Sequence, residues 1–493
     1  MSNYLIGVGG TGAKCIEAIV QLGAAGILPK EDLFTIFVDP DASNGNLERS
    51  QIALNTYGKI QDLHSAGVDL FRTTIKASDP DVWSPFTENG ASNTLQNSLG
   101  YSRLKDTYPA GAHLFDVLYS KDERRADLGV GFRGHPSIGA AVLGQTITFA
   151  EKEPWVTFRS RINNDKGAGS EIRIFIVGSI FGGTGASGLP TLAKLVRQEL
   201  NEMGADAQIG CALMLPYFSF DFAASAEDEV KAESSNFIAN TRSALKYYWQ
   251  QDVSDAYDCM YVLGDEAMSK VGEASVGGST QRNDPHFMEL YAGLAAANFF
   301  EGARKEDVRL VGRDNQDSIR WSDLPYAERE KLEPRMRRMA QFAFAFLAVY
   351  DPALRAVTPR NAYSAPWYVD FFLRGAGGPV ELDDPEIKMK LEALRRFCRS
   401  HLEWVAQLHT SAARDMVDLY QWQAFARPTD GSAELRPDFT LQRFSSLTEP
   451  REDGADTALH DVWTYLCSKP KVDGATGLDA FVRALYDATA LLK

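Results

Sequence analysis

The chain has 493 residues, a hydrophobic fraction of 44% and a formal net charge of -15 at pH 7. This length exceeds the size at which one hydrophobic core usually keeps growing, so we expect two or three subdomains. The acidic balance argues against nucleic acid or an anionic membrane surface as the main partner.

The N-terminus and the cysteines point to the cytoplasm. The opening residues lack a basic segment followed by an apolar core, so no secretory signal is predicted. The longest apolar run, at 339–350, is too short to span a bilayer, which argues against membrane insertion. Histidines with zinc-site spacing are absent, and no protein-ligated metal is expected. The cysteines show no pairing pattern, which fits a reducing compartment: Cys15, Cys211, Cys259, Cys398 and Cys467.

The first forty residues predict a strand, a glycine turn, a helix and a second strand. "NYLIGV" is a short apolar strand, "GGTG" is a turn, and the next residues place Ile16, Ile19 and Val20 at helical spacing. "LFTIFVDPD" is a second apolar strand that ends at Asp39. This order is typical of a parallel sheet covered by helices, an α/β fold.

A second glycine turn, "FGGTGASG" at 181–188, follows the continuous apolar strand at 171–180. The following residues predict a helix with Pro190 in its first turn, where proline is tolerated. A third glycine-rich loop, "GVGFRGHPSIG" at 129–139, lies between the first and the second glycine turn. Because the first and second turns each follow a strand, both should open at the carboxyl edge of one sheet, where a ligand is expected.

The remainder predicts further strands and a helical C-terminal part. Apolar strands are expected at 207–216 and 257–266, with a helix between them, and a long helix at 285–305. Residues 305–325 are predicted to form a loop. The predicted division is a nucleotide-binding α/β domain at 1–283, a central helix with an acidic loop at 284–325, and a mainly helical domain at 326–493.

Taken alone, the first turn is ambiguous. "GVGGTG" is compatible with a dinucleotide fingerprint in which Asp39 binds a ribose, with another nucleotide, or with a purely structural turn. The second turn decides between these readings, because two helix N-termini that converge on one crevice suit a di- or triphosphate.

The two turns and the loop between them resemble those of the tubulin/FtsZ superfamily, and more closely its divergent prokaryotic members than eukaryotic tubulin. The resemblance covers roughly residues 3–325. It implies a Rossmann-type GTPase domain with a parallel sheet and a long central helix, and it implies GTP/GDP with Mg²⁺ held mainly by phosphate oxygens and water. The residues expected to contact the phosphates are Gly9, Gly10, Thr11, Gly12, Gly182, Gly183, Thr184, Gly185, Ala186 and Ser187. A side chain at Gly183 is expected to fill the phosphate's space.

The third loop resembles the segment of the bacterial division protein that senses the γ-phosphate. The resemblance places Gly131, Arg133, Gly134 and His135 at that phosphate. Arg133 departs from the small residue usual there, and an arginine supplies charge-assisted hydrogen bonds. A surface turn is the alternative.

Ribose and base contacts are also implied by the resemblance. Asp221, in "MLPYFSFDF", matches the family's ribose acid with one inserted residue, and Asn240 lies on the following helix. Asp265 stands where the family recognises guanine. A carboxylate can accept hydrogen bonds from the adjacent N1–H and 2-amino groups of that base. Phe287 matches an aromatic residue that packs on the base, with Tyr291 one turn later. The alternatives are a solvated loop acid for Asp221, an exposed amide for Asn240, a strand end or helix cap for Asp265, and core rings for Phe287 and Tyr291.

Hydrolysis in this family uses an acidic loop of the next subunit, which implies a head-to-tail homopolymer of this chain. In "SIRWSDLPYAE" the candidate catalytic residue is Asp323, while Tyr326 occupies the position of the usual second acid. Asp317 in the preceding loop is a possible helper, and a capping role for Asp323 at a helix that begins near Pro325 is the alternative. The C-terminal domain is a candidate surface for other protein partners. Two other functions stay open: a GTP-holding scaffold or switch, and an enzyme that uses a dinucleotide.

Overall fold

The structure is a computed structural model of the chain. The residues that the structure describes are 1–63, 68–86, 93–132, 134–149, 151–221, 234–250, 253–273, 278–302, 307–313, 318–358, 360–375, 378–409, 411, 417–420, 459–468, 472 and 475–491. No helix in these ranges is long and apolar enough to cross a membrane.

A parallel sheet of seven strands forms the centre of the molecule as far as it is described. Its order is β3-β2-β1-β4-β5-β7-β9, and every pair of neighbours is parallel. A separate two-stranded parallel sheet pairs β6 with β8. The strands are β1 Ser2–Val8, β2 Leu33–Val38, β3 Ile75–Trp83, β4 Ile172–Ser179, β5 Ala207–Met214, β6 Phe218–Asp221, β7 Cys259–Asp265, β8 Ser269–Glu273 and β9 Asp307–Arg313.

Helices cover both faces of the sheet, which confirms the predicted α/β class. The helices are α1 Gly9–Ala24, α2 Gly45–Gly58, α3 Leu95–Ser98, α4 Tyr101–Thr107, α5 Pro109–Leu118, α6 Lys121–Arg125, α7 Pro136–Thr146, α8 Trp155–Gly167, α9 Gly183–Met203, α10 Phe237–Gln250, α11 Phe287–Phe300, α12 Arg329–Ala345, α13 Asp351–Ala356, α14 Pro366–Tyr368, α15 Pro385–His409, α16 Leu459–Cys467 and α17 Gly477–Leu491. Two π turns interrupt the C-terminal helices, at Phe346–Tyr350 and Val369–Leu373.

Two hydrophobic cores lie on opposite faces of the sheet. One packs α7, α8 and α9 against residues such as Tyr4, Ile6 and Val8 of β1. The other joins α1, α2 and α11 to the C-terminal helices α12, α15 and α17. Helix α11 is mainly apolar on all of its faces, as expected for a helix that is buried almost all round. The second core therefore continues across the boundary expected at residue 325.

The chain returns to the sheet after the central helix, contrary to the prediction of a loop throughout 305–325. Asp307–Arg313 forms β9, which pairs with β7 along its length. Alternating charged residues obscured this strand in the sequence, because an edge strand of a parallel sheet need not be apolar throughout. Helix α11 is consequently a crossover between two parallel strands, and it runs opposite to them, from their carboxyl ends to their amino ends.

Candidate functional site: the crevice between β1 and β4

The carboxyl ends of β1 and β4 lie side by side at the centre of the sheet. Val8 of β1 pairs with Gly178 of β4. The strand order reverses here, because β2 and β3 lie on one side of β1 while β4 and the later strands lie on the other. Open α/β sheets bind their ligands at such a switch point.

The first and second glycine turns touch each other across this crevice. Gly9 adopts a φ of +72°, and an atom at its Cβ position would lie 3.2 Å from Cβ of Thr184. Helix α1 begins at Gly9 and α9 begins at Gly183, so both helices direct their first, unpaired N–H groups to the same place. Thr11 and Thr184 are half-buried in these turns.

The third loop packs directly on the second turn. An atom at the Cβ position of Gly183 would lie 2.9 Å from the backbone nitrogen of Gly134. A side chain at Gly183 would therefore strike the third loop, which corrects the expectation that it would fill open phosphate space. His135 precedes α7, and its Nδ1 lies 3.3 Å from Oε1 of Glu123. Gly131 has a φ of +99°, whereas Arg133 lies outside the described residues.

Several residues of the second turn serve the packing of α9. The Ser187 hydroxyl is buried and donates to the carbonyl of Gly183 at 2.7 Å, so it is already engaged inside the helix. Ala186 is also buried, and Gly185 lies against the backbone of Ser179. Placing the Ser187 hydroxyl on a phosphate would require a rotation away from this carbonyl.

Asn240 connects the second turn to the third loop. Its Nδ2 donates to the carbonyl of Phe181 at 3.2 Å and to that of Gly134 at 3.5 Å. The amide thus holds two loops of the crevice together. Asp221 ends β6, and its side chain lies outside the described residues.

Asp39, at the end of β2, is a buried carboxyl group beside the crevice. It is 3% exposed and accepts a hydrogen bond from the backbone nitrogen of Asp41 at 3.1 Å. Burial raises its pKa to about 8, because the charged form loses its hydration. Asp39 can therefore hold a proton, and donate it in a hydrogen bond, near neutral pH.

The three residues expected at the base occupy different environments. Asp265 is half-buried at the end of β7, and its Oδ1 accepts from the nitrogen of Ala267 at 3.4 Å. Phe287 and Tyr291 lie in the first turns of α11, and both rings are buried in the core. The Tyr291 hydroxyl donates to the carbonyl of Asp323 at 3.3 Å. Asp265 is consequently the most accessible of the three.

Asp323 lies on the same side of the sheet as the glycine turns. It follows β9, whose carboxyl end is at that edge, and its carbonyl meets Tyr291 near the start of α11. The side chain is exposed, and its Oδ2 accepts from the nitrogen of Arg320 at 2.8 Å. The carboxylate thereby caps the short 3₁₀ turn Trp321–Asp323, whereas α12 begins only at Arg329. Asp317 lies outside the described residues.

A buried ion pair behind the first turn was not predicted. Lys14 of α1 and Glu289 of α11 meet at 2.5 Å with side chains 3% and 1% exposed. Tyr217 donates to the same carboxylate at 2.7 Å. Desolvation raises the pKa of Tyr217 well above its usual value. Helix α1, which begins at the first turn, is therefore connected through its Lys14 side chain to the start of the central helix.

The start of α11 is in turn connected to the C-terminal helices. His286 accepts from the nitrogen of Met288 through Nδ1, and its Nε2 lies 2.9 Å from Oγ of Ser269. Ser269 donates to the carbonyl of Ser411 at 2.6 Å. Desolvation lowers the pKa of His286 well below its usual value, so the ring is neutral and Nε2 carries the proton. This chain of hydrogen bonds joins β8, α11 and the segment after α15.

No group of three or more histidine, cysteine, aspartate or glutamate side chains suited to a metal ion occurs in the described part of the chain. A divalent ion at this crevice would depend mainly on ligands that a nucleotide and water provide.

Comparison with known proteins gives one family and several distant structures. Residues 144–274, which include the second turn, match the family described as "Tubulin like". A search of curated proteins found no match. Solved structures that match include CetZ2 from Haloferax volcanii, described as a GTPγS-bound protofilament, at 17% identity and a TM-score of 0.29, covering 62% of this chain and 64% of that one. CetZ from Methanosaeta thermophila matches at 14% identity and a TM-score of 0.22, covering 54% and 46%. The chain spans less than two thirds of the length of either structure.

The sheet order and the glycine turns at the β1–β4 switch point define an α/β fold with a parallel sheet, and the matched residues include β4, the second turn and α9. Residues 144–274 of the chain are similar to the tubulin-like family, which confirms the resemblance found in the sequence.

Proposed function

We propose that the crevice between β1 and β4 binds GTP and GDP. The observation that carries this proposal is the contact between Gly9 and Thr184, which brings two helix N-termini to one point. Phosphates are stabilised there by backbone N–H groups and by the positive ends of two helix dipoles. The crevice fits such a ligand, since both turns lack bulky side chains and present the half-buried hydroxyls of Thr11 and Thr184.

The remaining predicted contacts follow from this placement. Backbone groups of Gly10, Gly12 and Gly182 would face the phosphates, and Mg²⁺ would sit on phosphate oxygens and water. Asp39 would meet the ribose from the end of β2, and Asp265 would read guanine from the end of β7. Phe287 and Tyr291 contribute by supporting the start of α11, because their rings are buried.

The nucleotide identity is the direct test of this proposal. The purified protein is denatured, and the released nucleotide is identified by chromatography; guanine nucleotide is expected. Competition between GTP and ATP then tests Asp265, because Asp265→Asn removes a charge-assisted pair worth roughly 1.5–3 kcal/mol. Equal affinity of the wild type for both nucleotides would exclude Asp265 as a guanine reader. Release of a nicotinamide or flavin dinucleotide would replace the proposal with a dinucleotide-dependent enzyme.

We further propose that hydrolysis is coupled to head-to-tail assembly into filaments. A heterologous contact of this kind joins the crevice of one subunit to the opposite end of the next, and it propagates when it does not close. Helix α11 ends at that opposite end of the sheet, where the exposed Glu301 follows its last turn. Asp323 lies on the crevice side instead. Glu301 is therefore the better placed acid to meet the nucleotide of a neighbouring subunit.

GTPase assays over a range of protein concentrations test this coupling. The rate per molecule is expected to rise with concentration, while sedimentation in GTP shows polymers. Glu301→Gln is expected to lower turnover at least tenfold with GTP binding intact, and Asp323→Asn to change it less than twofold. A large loss confined to Asp323→Asn would return the catalytic role to Asp323. A rate independent of concentration, with monomers only, would favour a GTP-holding scaffold.

A further inference from the structure

A segment between β8 and α11 crosses over to the loop that follows β2. We call residues 278–283 the strap. The nitrogen of Gly45 donates to the carbonyl of Gly278 at 3.1 Å, and the nitrogen of Asn46 donates to the carbonyl of Gln281 at 3.0 Å. The approach is close, because an atom at the Cβ position of Gly45 would lie 2.4 Å from the carbonyl oxygen of Ser279. The strap is thus fixed to the first turn of α2 by its backbone.

Two asparagine side chains complete the contact between the strap and α2. Nδ2 of Asn44 donates to Oε1 of Gln281 at 2.8 Å, and Oδ1 of Asn44 accepts from the nitrogen of Asn46. Oδ1 of Asn46 accepts from the nitrogen of Asn283 at 2.8 Å. The oxygen of the Asn46 amide is therefore held on the strap.

This bond leaves the nitrogen of the same amide facing the first glycine turn. Nδ2 of Asn46 lies 3.6 Å from the Cβ position of Gly10, in the turn that begins α1. Among the described residues, none accepts a hydrogen bond from Nδ2, although the residue is only 3% exposed. A donor without a protein acceptor, at the small exposed part of a nearly buried residue, is available to an oxygen of a ligand in the crevice.

We propose that Asn46 is a phosphate-binding residue and that the strap orients its amide. This inference rests on the proposed binding of GTP and GDP in the crevice. The Asn46 amide supplies two N–H donors to a nucleotide phosphate that occupies the first turn, while Asn283 keeps the amide oxygen turned away. The strap leads directly into α11, so a shift of the central helix would move this amide relative to the phosphate.

Asn46→Asp is the main test, because the carboxylate keeps an acceptor for the nitrogen of Asn283 but replaces the donors with a negative charge. Affinities for GTP and GDP are measured by titration calorimetry. Both are expected to fall roughly 10- to 100-fold, the loss of a hydrogen bond to a charged group. The matched control is Asn163→Asp, which adds the same charge on an exposed position of α8 and should leave both affinities unchanged.

Gly45→Ala tests the strap without changing any polar group. The added methyl group would displace the carbonyl of Ser279 and with it the strap. Affinity is expected to fall several-fold, although alanine favours the helix. Gly58→Ala is the control at the other end of α2, where an added Cβ meets nothing within 4 Å.

The outcomes separate this inference from the proposal it rests on. A wild type that binds neither GTP nor GDP would overturn the proposed function. A wild type that binds them, together with Asn46→Asp and Gly45→Ala proteins of unchanged affinity, would overturn the role of Asn46 alone. Thermal unfolding of each variant confirms that the protein in the titration is folded.

Discussion

The two glycine turns have nearly the same sequence, but their surroundings differ. Gly10 in the first turn faces the side-chain amides of Asn44 and Asn46, 3.4 and 3.6 Å from its Cβ position. Gly185 in the second turn faces backbone, with the carbonyl oxygen of Ser179 only 2.2 Å from its Cβ position. Side chains can move by several tenths of an ångström, whereas a strand backbone cannot. Gly10 therefore has room for a methyl group if its side-chain neighbours move, whereas Gly185, like Gly12 at the matching position of the first turn, is required by the packing of the chain: the Cβ position of Gly12 lies 2.6 Å from the carbonyl oxygen of Val177.

The largest effect is expected from the charges behind the first turn. Lys14→Met leaves Glu289 buried without its cation, and removal of one partner of a buried pair costs about 3–5 kcal/mol. Urea unfolding measures this loss. Lys76→Met serves as the control, because its pair with Asp32 is half exposed and contributes about 0–1 kcal/mol. Similar losses of unfolding free energy in both variants would show that the buried pair of Lys14 and Glu289 contributes no more to stability than an exposed pair.

The second turn is expected to respond next most strongly. Gly185→Ala places a methyl group against the backbone of Ser179, and such overpacking costs typically about 1–3 kcal/mol. Gly144→Ala, near the end of α7, meets nothing within 4 Å and should be neutral or slightly stabilising. Equal unfolding midpoints for the two variants would contradict the tight packing of α9 on β4.

A pH-dependent effect is expected at Asp39, on the first turn's side of the crevice. Burial raises its pKa from 3.8 to about 8, so the folded protein binds a proton that the unfolded chain releases. Its stabilising contribution is complete below about pH 4 and is lost as the pH rises towards the folded value. Asp39→Asn should therefore remove a pH-dependent loss on the order of 1 kcal/mol or more between pH 5 and 8. Parallel stability curves for the two proteins would exclude a raised pKa.

The smallest effect on stability is expected at Gly10. Gly10→Ala meets only the two amides, and alanine in a helix offsets the contact, so a change within about 0.5 kcal/mol is expected. The same methyl group occupies space beside the proposed phosphate, so affinity for GTP should fall at least tenfold. Unchanged affinity would place the phosphates away from the first turn.

The sequence predicts the switch point well, because strongly apolar strands and glycine turns are local signals. β1, β2, β4, β5 and β7 all lie where the apolar runs predicted strands. β3 and β9 were missed, since the first contains Pro80 and several polar residues and the second carries charges. Both are the edge strands of the sheet, where one side of the backbone lacks a partner and the composition is less apolar.

The residues around the turns were harder to predict, because their contacts join distant parts of the chain. Lys14 is a polar residue on an apolar helix, which ordinarily indicates the exposed face, yet Glu289 neutralises it inside the core. The role of Asn46 could not be predicted from its neighbours in the sequence, since Asn283 of the strap, which orients the amide, lies 237 positions later. Tertiary contacts between remote segments, rather than local patterns, decide these positions.

The hydrophobic core that α1, α2 and α11 share with α12, α15 and α17 has a consequence for how the molecule comes apart. His401 of α15 donates a hydrogen bond from Nδ1 to Oε1 of Gln21 in α1 at 2.8 Å, and both residues are completely buried. Neither group of helices can separate without exposing these polar atoms and the apolar surface around them. Heating should accordingly melt the α/β part and the C-terminal helices in one cooperative calorimetric transition, and a protease cut between them should not release two stable fragments.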